Sequence, residues 1–224
     1  MRQSFLRNVL RDAPATATIA ALCVAVFCVT AIQARSITDV VWDSWLGRTM
    51  ILFGPEVAGA GFLRALTAGF LHLDITHLFL NVLMLVLVGA EVERAIGTGP
   101  YVVAYTASVL ASSAAVLTGA FGIPTAGASG ALFALMAVLV ALAYRRSADL
   151  TAPLALLAVN LGYTFVGTNV SVWGHIGGLV AGVVLAWPLT SASKSTRWTA
   201  AWVGLAAAVI AVWLPTLPLA TPIY

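Results

Sequence analysis

Runs of apolar residues, separated by polar residues or by Gly and Pro, divide the chain into seven segments. Each run is about 17–21 residues long, and at ~1.5 Å per helical residue it spans about 25–32 Å, close to the hydrocarbon thickness of a bilayer. Runs of this length predict membrane-spanning helices. The predicted helices cover approximately residues 14–33, 75–95, 100–120, 128–144, 150–167, 172–190 and 198–214.

The composition agrees with this pattern, because 61% of the 224 residues are hydrophobic and only 8% are charged. Soluble domains carry roughly 25% charged residues, so the chain is predicted to be an all-α polytopic membrane protein in contact with the lipid bilayer. A net charge of +3 gives no reason to expect a nucleic-acid partner. Three histidines and two cysteines, Cys23 and Cys28, make neither a metal signature nor a disulfide pair, so no metal and no cofactor are expected.

The basic residues indicate the orientation of the helices. If the helices alternate in direction, most of the Lys and Arg side chains fall at one end of the bundle, which by the positive-inside rule is cytoplasmic. These residues are Arg2, Arg7, Arg11, Arg94, Arg145, Arg146, Lys194 and Arg197. The N-terminus is therefore expected in the cytoplasm and the C-terminus outside. The agreement between charge and alternation favours seven spans. The expected location is the cell (plasma or inner) membrane.

The same layout predicts the domain organisation. Residues 1–13 form a cytoplasmic segment, residues 14–190 the membrane core, and residues 191–224 a linker, the seventh helix and an outer tail. A long outer loop, about 34–74, carries Trp42 and Trp45 and is expected to fold against the membrane surface.

The second helix opens with a polar pair in an otherwise apolar sequence. His77 and Asn81 are four residues apart, so they share one face, and both side chains can donate hydrogen bonds. Polar groups in membrane helices are costly, which indicates either a wet cavity or a polar clamp between helices.

The fourth helix opens with Gly127-Ala128-Ser129-Gly130. A serine between small residues at a helix start is accessible and lies beside free backbone N–H groups. The alternative is that the small residues only mark close helix packing.

The sixth helix carries one ionisable residue, His175, with Gly178 and Gly182 on the same face. The glycines predict that this face packs closely on a neighbouring helix, and that neighbour could present Ser129. A buried structural histidine is the alternative reading.

Together these residues supply a serine, a histidine that could take its proton, and two further hydrogen-bond donors. The alternating layout places all of them near the outer ends of their helices. No Asp or Glu follows Asp149, so a Ser–His dyad is favoured over a triad, with Asp74 left open as an alternative third member.

The combination resembles the rhomboid family of intramembrane serine proteases over roughly residues 62–187. The resemblance rests on the spacing of His72, His77 and Asn81, on the Gly-Ala-Glu-Val-Glu sequence at 89–93, on the serine motif at 127–130, and on His175 with its two glycines. It implies a six-helix core, with the seventh helix as the extra C-terminal span that some members carry.

The resemblance also implies roles for individual residues. Ser129 would attack the scissile carbonyl to form an acyl-enzyme, and His175 would be general base and then general acid. His77, Asn81 and the Ser129 backbone N–H would form the oxyanion hole. The supporting residues would be Gly127, Phe133, Gly178, Gly182, Arg64 and His72.

The sequence departs from the family at two positions. Leu63 precedes Arg64 where many members have Trp, and Phe133 stands where many have Tyr. Phe133 keeps a ring one turn below Ser129 that could pack on His175. The substrates implied are transmembrane proteins, cleaved near the outer end of a helix that unwinds into a water-filled pocket opening outside. A gate between the second and fifth helices is also implied.

Two other functions fit parts of this pattern. A catalytically inactive rhomboid-like binding or quality-control factor would share the fold, but such proteins typically lack the serine or the histidine. A transporter or proton channel could use His72, His77 and His175 as relays. The sequence has no carboxylate in mid-span and no evident inverted repeat for that function.

Overall fold

The computed structural model describes residues 12–168 and 170–216, apart from the side chain of Ala60. In these residues the dominant elements are seven apolar helices: α1 Pro14–Ala34, α2 Ile75–Ile96, α3 Thr98–Gly119, α4 Ser129–Arg145, α5 Thr151–Val166, α6 Val172–Leu189 and α7 Lys194–Trp213. The predictions for Arg2, Arg7, Arg11 and the tail beyond residue 216 concern residues outside this described part.

Each predicted apolar run is a helix, and the bounds differ by a few residues. The largest difference is at α7, which begins at Lys194 because the Ser193 side chain accepts a hydrogen bond from the Thr196 N–H at 3.3 Å. The prediction that Lys194 and Arg197 lie between the sixth and seventh helices was wrong, since both belong to the first turns of α7.

Among the described residues, five helices are long and apolar enough to cross a membrane: α1, α2, α3, α6 and α7. The other two are shorter, with 17 residues in α4 and 16 in α5, so the count of seven spans stays a prediction. Large apolar side chains cover the outside of the bundle, for example Val166 at 80% exposure and Val184 at 68%. A helical bundle with an apolar exterior is stable in lipid, so the structure is that expected of a multi-pass membrane protein.

The helix α4 lies at the centre of the bundle. All residues from 130 to 138 are buried, which places neighbours on every side of the helix. Its first residue is Ser129, so the serine stands at the end of the most enclosed element.

Local sequence explains where the helices begin and turn. Asp74 precedes α2 and its carboxylate accepts the His77 N–H at 2.8 Å, while Ser171 caps α6 by accepting the Gly174 N–H at 3.2 Å. Gly97 joins α2 to α3 with φ 91°, a conformation that favours glycine. Within α2, Leu85–Gly89 is a π-helical turn.

One end of the bundle collects the basic side chains. Arg146, after α4, forms an ion pair at 3.0 Å with Glu91 of α2. Arg145 donates to the Trp187 carbonyl of α6 and lies 3.8 Å from the Trp187 ring centroid. Arg197 of α7 donates to the carbonyl of Ala95 in α2 at 3.1 Å. The ends of these four helices therefore meet, and Ser129 lies at the opposite end of α4.

The segment between α1 and α2 contains short helical turns at Trp45–Met50, Gly54–Glu56, Gly59–Leu63, Arg64–Thr67 and Ala68–Phe70. Arg64 holds this segment together. Its guanidinium pairs with Glu56 at 2.5 Å and donates to the carbonyls of Arg48 at 2.6 Å and Ile51 at 3.0 Å. Three partners across the loop make Arg64 its main internal anchor, whereas Trp42 and Trp45 point outward and are exposed.

Candidate active site

Ser129 and His175 are in direct contact. The Ser129 Oγ lies 2.7 Å from the His175 Nε2, a short hydrogen bond between the first residue of α4 and the first turn of α6. His175 is 8% exposed and Ser129 is half-buried, so the histidine is enclosed while the hydroxyl stays accessible. A hydroxyl held against an imidazole nitrogen is the arrangement of an activated nucleophile.

Glycines let α6 approach α4 closely enough for this contact. A Cβ on Gly178 would overlap the backbone carbonyl of Gly130, and a Cβ on Gly182 would overlap the backbone of Ala134. Two helices touching through their backbones have little freedom to slide, so the glycine face fixes the height of His175 relative to Ser129.

Phe133 lies one turn below the serine and stacks on the histidine. The ring centroids of Phe133 and His175 are 4.4 Å apart with an interplanar angle of 29°. Phe133 is buried and supports the face of the imidazole, so the ring plane of His175 is set by packing.

The other nitrogen of His175 meets a residue that the sequence did not single out. The His175 Nδ1 lies 2.8 Å from the Thr164 Oγ1 of α5, and Thr164 is 2% exposed. The carboxylate of Asp74, left open as a third catalytic group, instead caps α2. A threonine in an apolar helix gives little signal in a sequence, because its hydroxyl commonly bonds within its own helix.

His77 lies on the other side of the serine. A Cβ on Gly127 would come within 2.8 Å of the His77 Cε1 and Nε2 and 3.7 Å of the Ser129 Oγ, so these three residues surround one small space. Gly127 has φ 126°, which disfavours any other residue. The His77 Nδ1 accepts a long hydrogen bond from the Leu73 N–H at 3.5 Å, which leaves Nε2 as the nitrogen that carries the proton.

Asn81 is one turn further along α2 and is 6% exposed. Its Nδ2 donates to the His77 carbonyl at 2.8 Å, so one of its two amide protons is used within its own helix. The second proton is the one available to a ligand.

His72 is fully buried beneath His77, with ring centroids 5.0 Å apart in an edge-on arrangement. Its Nδ1 lies 3.3 Å from the Phe70 carbonyl oxygen, and burial lowers the pKa of His72 to about 3. A neutral His72 therefore donates from Nδ1 to Phe70 and supports the His77 ring by packing.

The loop before the serine is tied to the segment between α1 and α2. Leu52 and Thr125 exchange two backbone hydrogen bonds of 3.0 and 2.9 Å, and the Gly127 N–H donates to the Ala68 carbonyl at 2.9 Å. A further bond links α3 to α6, since the Ser112 hydroxyl donates to the Gly174 carbonyl at 2.9 Å, next to His175. Neither Ser112 nor this loop pairing was predicted from the sequence.

The backbone at Ser129 adds a third hydrogen-bond donor. As the first residue of α4, Ser129 has an N–H with no partner inside the helix. A helix N-terminus also carries partial positive charge. The His77 side chain and this N–H therefore both lie close to the Ser129 hydroxyl, and donors in such positions can stabilise negative charge.

Comparison with known proteins identifies relatives of this chain. The family model described as "Rhomboid domain" matches residues 59–192. Rhomboid protease GluP of Bacillus subtilis is 36% identical over 143 residues, which cover 60% of this chain and 28% of the relative. Rhomboid-like protease 2 of Toxoplasma gondii is 34% identical over 148 residues, covering 60% and 52%. Rhomboid-like protease 3 of the same organism is 28% identical over 150 residues, covering 62% and 57%.

The matches therefore cover between about a quarter and somewhat more than half of the length of these relatives. The matched region contains all the residues of the site, from Arg64 to Gly182. It leaves out α1 and α7, which lie before and after it.

Proposed function

Because this chain belongs to the rhomboid family, we propose that it is an intramembrane serine endopeptidase in which Ser129 is the nucleophile and His175 its base. The observation that carries the proposal is the 2.7 Å contact between the Ser129 Oγ and the His175 Nε2. It favours this function over that of an inactive rhomboid-like protein, for which neither residue nor their contact is needed.

In the proposed reaction, the Ser129 oxygen attacks the scissile carbonyl while its proton moves to the His175 Nε2. The tetrahedral intermediate then collapses, the C–N bond breaks, and the same nitrogen returns the proton to the leaving amine. The product of this half-reaction is an acyl-enzyme on Ser129. A water molecule, deprotonated by His175, hydrolyses the ester and restores the serine hydroxyl.

The oxyanion of each tetrahedral intermediate would be held by three donors. These are the His77 Nε2–H, the free proton of the Asn81 amide and the Ser129 backbone N–H. The position of Gly127 between His77 and Ser129 supports this assignment, because it leaves room for an oxygen where a side chain would otherwise stand. Donors fixed before the reaction stabilise the developing charge without reorganisation.

The substrate proposed for this site is a transmembrane segment that unwinds near its outer end. A helix has its carbonyls paired internally, so cleavage requires local unwinding, which Gly or Pro makes less costly. Ser129 lies at the end of α4 remote from the basic cluster of Arg145 and Arg146, which supports a pocket open to the outer side.

The experiment is cleavage of a model transmembrane substrate by purified protein in liposomes. We expect wild type to cleave and Ser129→Ala to be inactive while it keeps the thermal unfolding midpoint of wild type. Thr76→Ala is the matched control, because Thr76 lies on the exposed part of α2 next to His77. Equal cleavage by wild type and Ser129→Ala would refute the proposal.

The proposed orientation, with the N-terminus cytoplasmic, has a separate test. Ser147 and Gly122 lie at opposite ends of the bundle. Each would be replaced in turn by a single cysteine, in a protein whose two native cysteines have been replaced by serine. In intact cells, a membrane-impermeant thiol reagent should label the cysteine at 122 and spare the one at 147. The reverse pattern would invert the orientation.

A further inference from the structure

A neutral imidazole carries its proton on one nitrogen only, and the choice decides whether His175 is a base. If the proton is on Nε2, the ring donates to Ser129 and cannot accept the serine proton. If the proton is on Nδ1, Nε2 is free to accept it. Something next to Nδ1 must therefore select the productive tautomer, a task that a carboxylate performs in a Ser–His–Asp triad.

The neighbour of the His175 Nδ1 is the hydroxyl of Thr164, at 2.8 Å. That hydroxyl also lies 3.0 Å from the carbonyl oxygen of Asn160, one turn earlier in α5. A carbonyl oxygen only accepts, so in this second contact the proton must come from the threonine. Because the Thr164 hydroxyl donates its single proton to the Asn160 carbonyl, its oxygen can only accept a hydrogen bond from Nδ1.

We propose that Thr164 is the positioning residue of this site: its hydroxyl accepts a hydrogen bond from the His175 Nδ1–H and so keeps Nε2 unprotonated beside Ser129. The inference rests on the proposed function and extends it, since Thr164 touches no reacting atom and acts through His175. When His175 becomes an imidazolium, the chain from Nδ1–H through the threonine to the Asn160 carbonyl stabilises the added charge with aligned dipoles.

Burial supports this role for the hydroxyl. Thr164 is 2% exposed and is the one buried residue of α5 within the described chain. The remaining side chains of α5 are exposed or half-buried, many of them apolar. The most enclosed side chain of this helix is thus the one that contacts the histidine, while Leu156, Leu157 and Leu161 pack α5 against the core.

The test reads the tautomer directly. Protein labelled with ¹⁵N-histidine and reconstituted in bilayers is studied by solid-state NMR, in which a protonated and an unprotonated ring nitrogen have different ¹⁵N shifts. The chain has only three histidines, and the signals lost in His175→Asn assign those of His175. We expect the wild-type His175 to carry its proton on Nδ1, and we expect Thr164→Val to shift population to the Nε2–H form.

Cleavage provides the second readout. Thr164→Val should lower kcat about fivefold with KM unchanged, the effect of losing one neutral hydrogen bond, and Thr164→Ser should restore it. The matched control is Thr106→Val, because the Thr106 hydroxyl makes the same bond to the carbonyl four residues earlier, at 2.9 Å, without a histidine beside it.

Two results would overturn the inference: an Nε2–H tautomer of His175 in wild type, or the same tautomer ratio in Thr164→Val as in wild type. If Thr164→Val does not fold, the wild-type spectrum decides alone. The NMR result does not depend on activity, so an inactive wild type with an Nδ1–H tautomer would contradict the proposed function and leave the role of Thr164 supported.

Discussion

Gly178 of α6 lies directly against the backbone carbonyl of Gly130 in α4, one residue beyond Ser129. This contact sets the distance between the two helices that carry the candidate dyad. The first prediction concerns its loss. In Gly178→Ala the added methyl group meets backbone atoms that cannot rotate away, so we expect destabilisation of about 1–3 kcal/mol and a lower cleavage rate.

Gly162→Ala is the matched control for Gly178→Ala. Gly162 lies in α5 with no atom near the position of a Cβ, so alanine there should stabilise the helix by roughly 0.5–1 kcal/mol. Thermal unfolding in detergent compares the two variants. Equal unfolding midpoints would show that the Gly178–Gly130 contact does not limit the approach of α6 to α4.

The second prediction concerns Glu93, which is 1% exposed at the end of α2. Its carboxylate accepts the N–H groups of Ala15 at 3.0 Å and Thr16 at 2.7 Å, at the start of α1, and the Thr98 hydroxyl at 2.9 Å. Glu93→Gln places an amide donor opposite these donors, so we expect a loss of about 1–3 kcal/mol in unfolding free energy.

Glu91→Gln provides the comparison for Glu93→Gln. Glu91 pairs with Arg94 and Arg146 at the partly exposed end of the bundle, and exposed ion pairs contribute about 0–1 kcal/mol. Denaturant titration measures both variants. A larger loss of unfolding free energy in Glu91→Gln than in Glu93→Gln would show that the Glu93 carboxylate does not hold the start of α1 in place.

The third prediction concerns the ring under the candidate base. Phe133→Leu keeps apolar volume but removes the stacking on His175. An aromatic pair contributes about 1 kcal/mol, and the loss of that energy in the transition state should lower kcat roughly fivefold. Phe133→Tyr keeps the ring and should retain more activity than Phe133→Leu. Kinetics on the liposome substrate measure both, and equal kcat values for wild type and Phe133→Leu would show that the ring does not orient His175.

The fourth prediction tests which of two roles the Asn81 side chain has: a hydrogen-bond donor in the oxyanion hole, or a structural clamp between helices. Asn81→Ala should lower kcat about a hundredfold to a thousandfold, the usual effect of removing one such donor, and should change KM little. A clamp would instead appear as a lower unfolding midpoint with kcat preserved among folded molecules. Stability and kinetics measured on the same preparation distinguish the two roles.

The sequence was most informative where physical demands repeat along the chain. Helix positions followed from apolar runs, because a bilayer requires about 20 apolar residues per span. The meeting of Ser129 and His175 followed from their shared depth and from the glycines of α6. These features depend on periodicity and composition, which a sequence displays directly.

Other features gave no such signal. The π-helical turn at Leu85–Gly89 lies in a Leu/Val run like any other, and the turns between α1 and α2 depend on the long reach of Arg64. In the sequence, Thr164 cannot be told from Thr106, because each is a threonine in an apolar run. In the structure, each hydroxyl also bonds to the carbonyl four residues earlier. Only the packing of α5 against α6 distinguishes them.

The most direct measurement of the central claim is labelling of the purified, reconstituted protein with a serine-reactive fluorophosphonate, followed by mass-spectrometric mapping of the modified residue. The proposed Ser–His dyad predicts one adduct, on Ser129, that is lost in Ser129→Ala and in His175→Ala but kept in Thr76→Ala. Labelling of Ser129 that is equally fast in His175→Ala, or an adduct on a different residue, would contradict it.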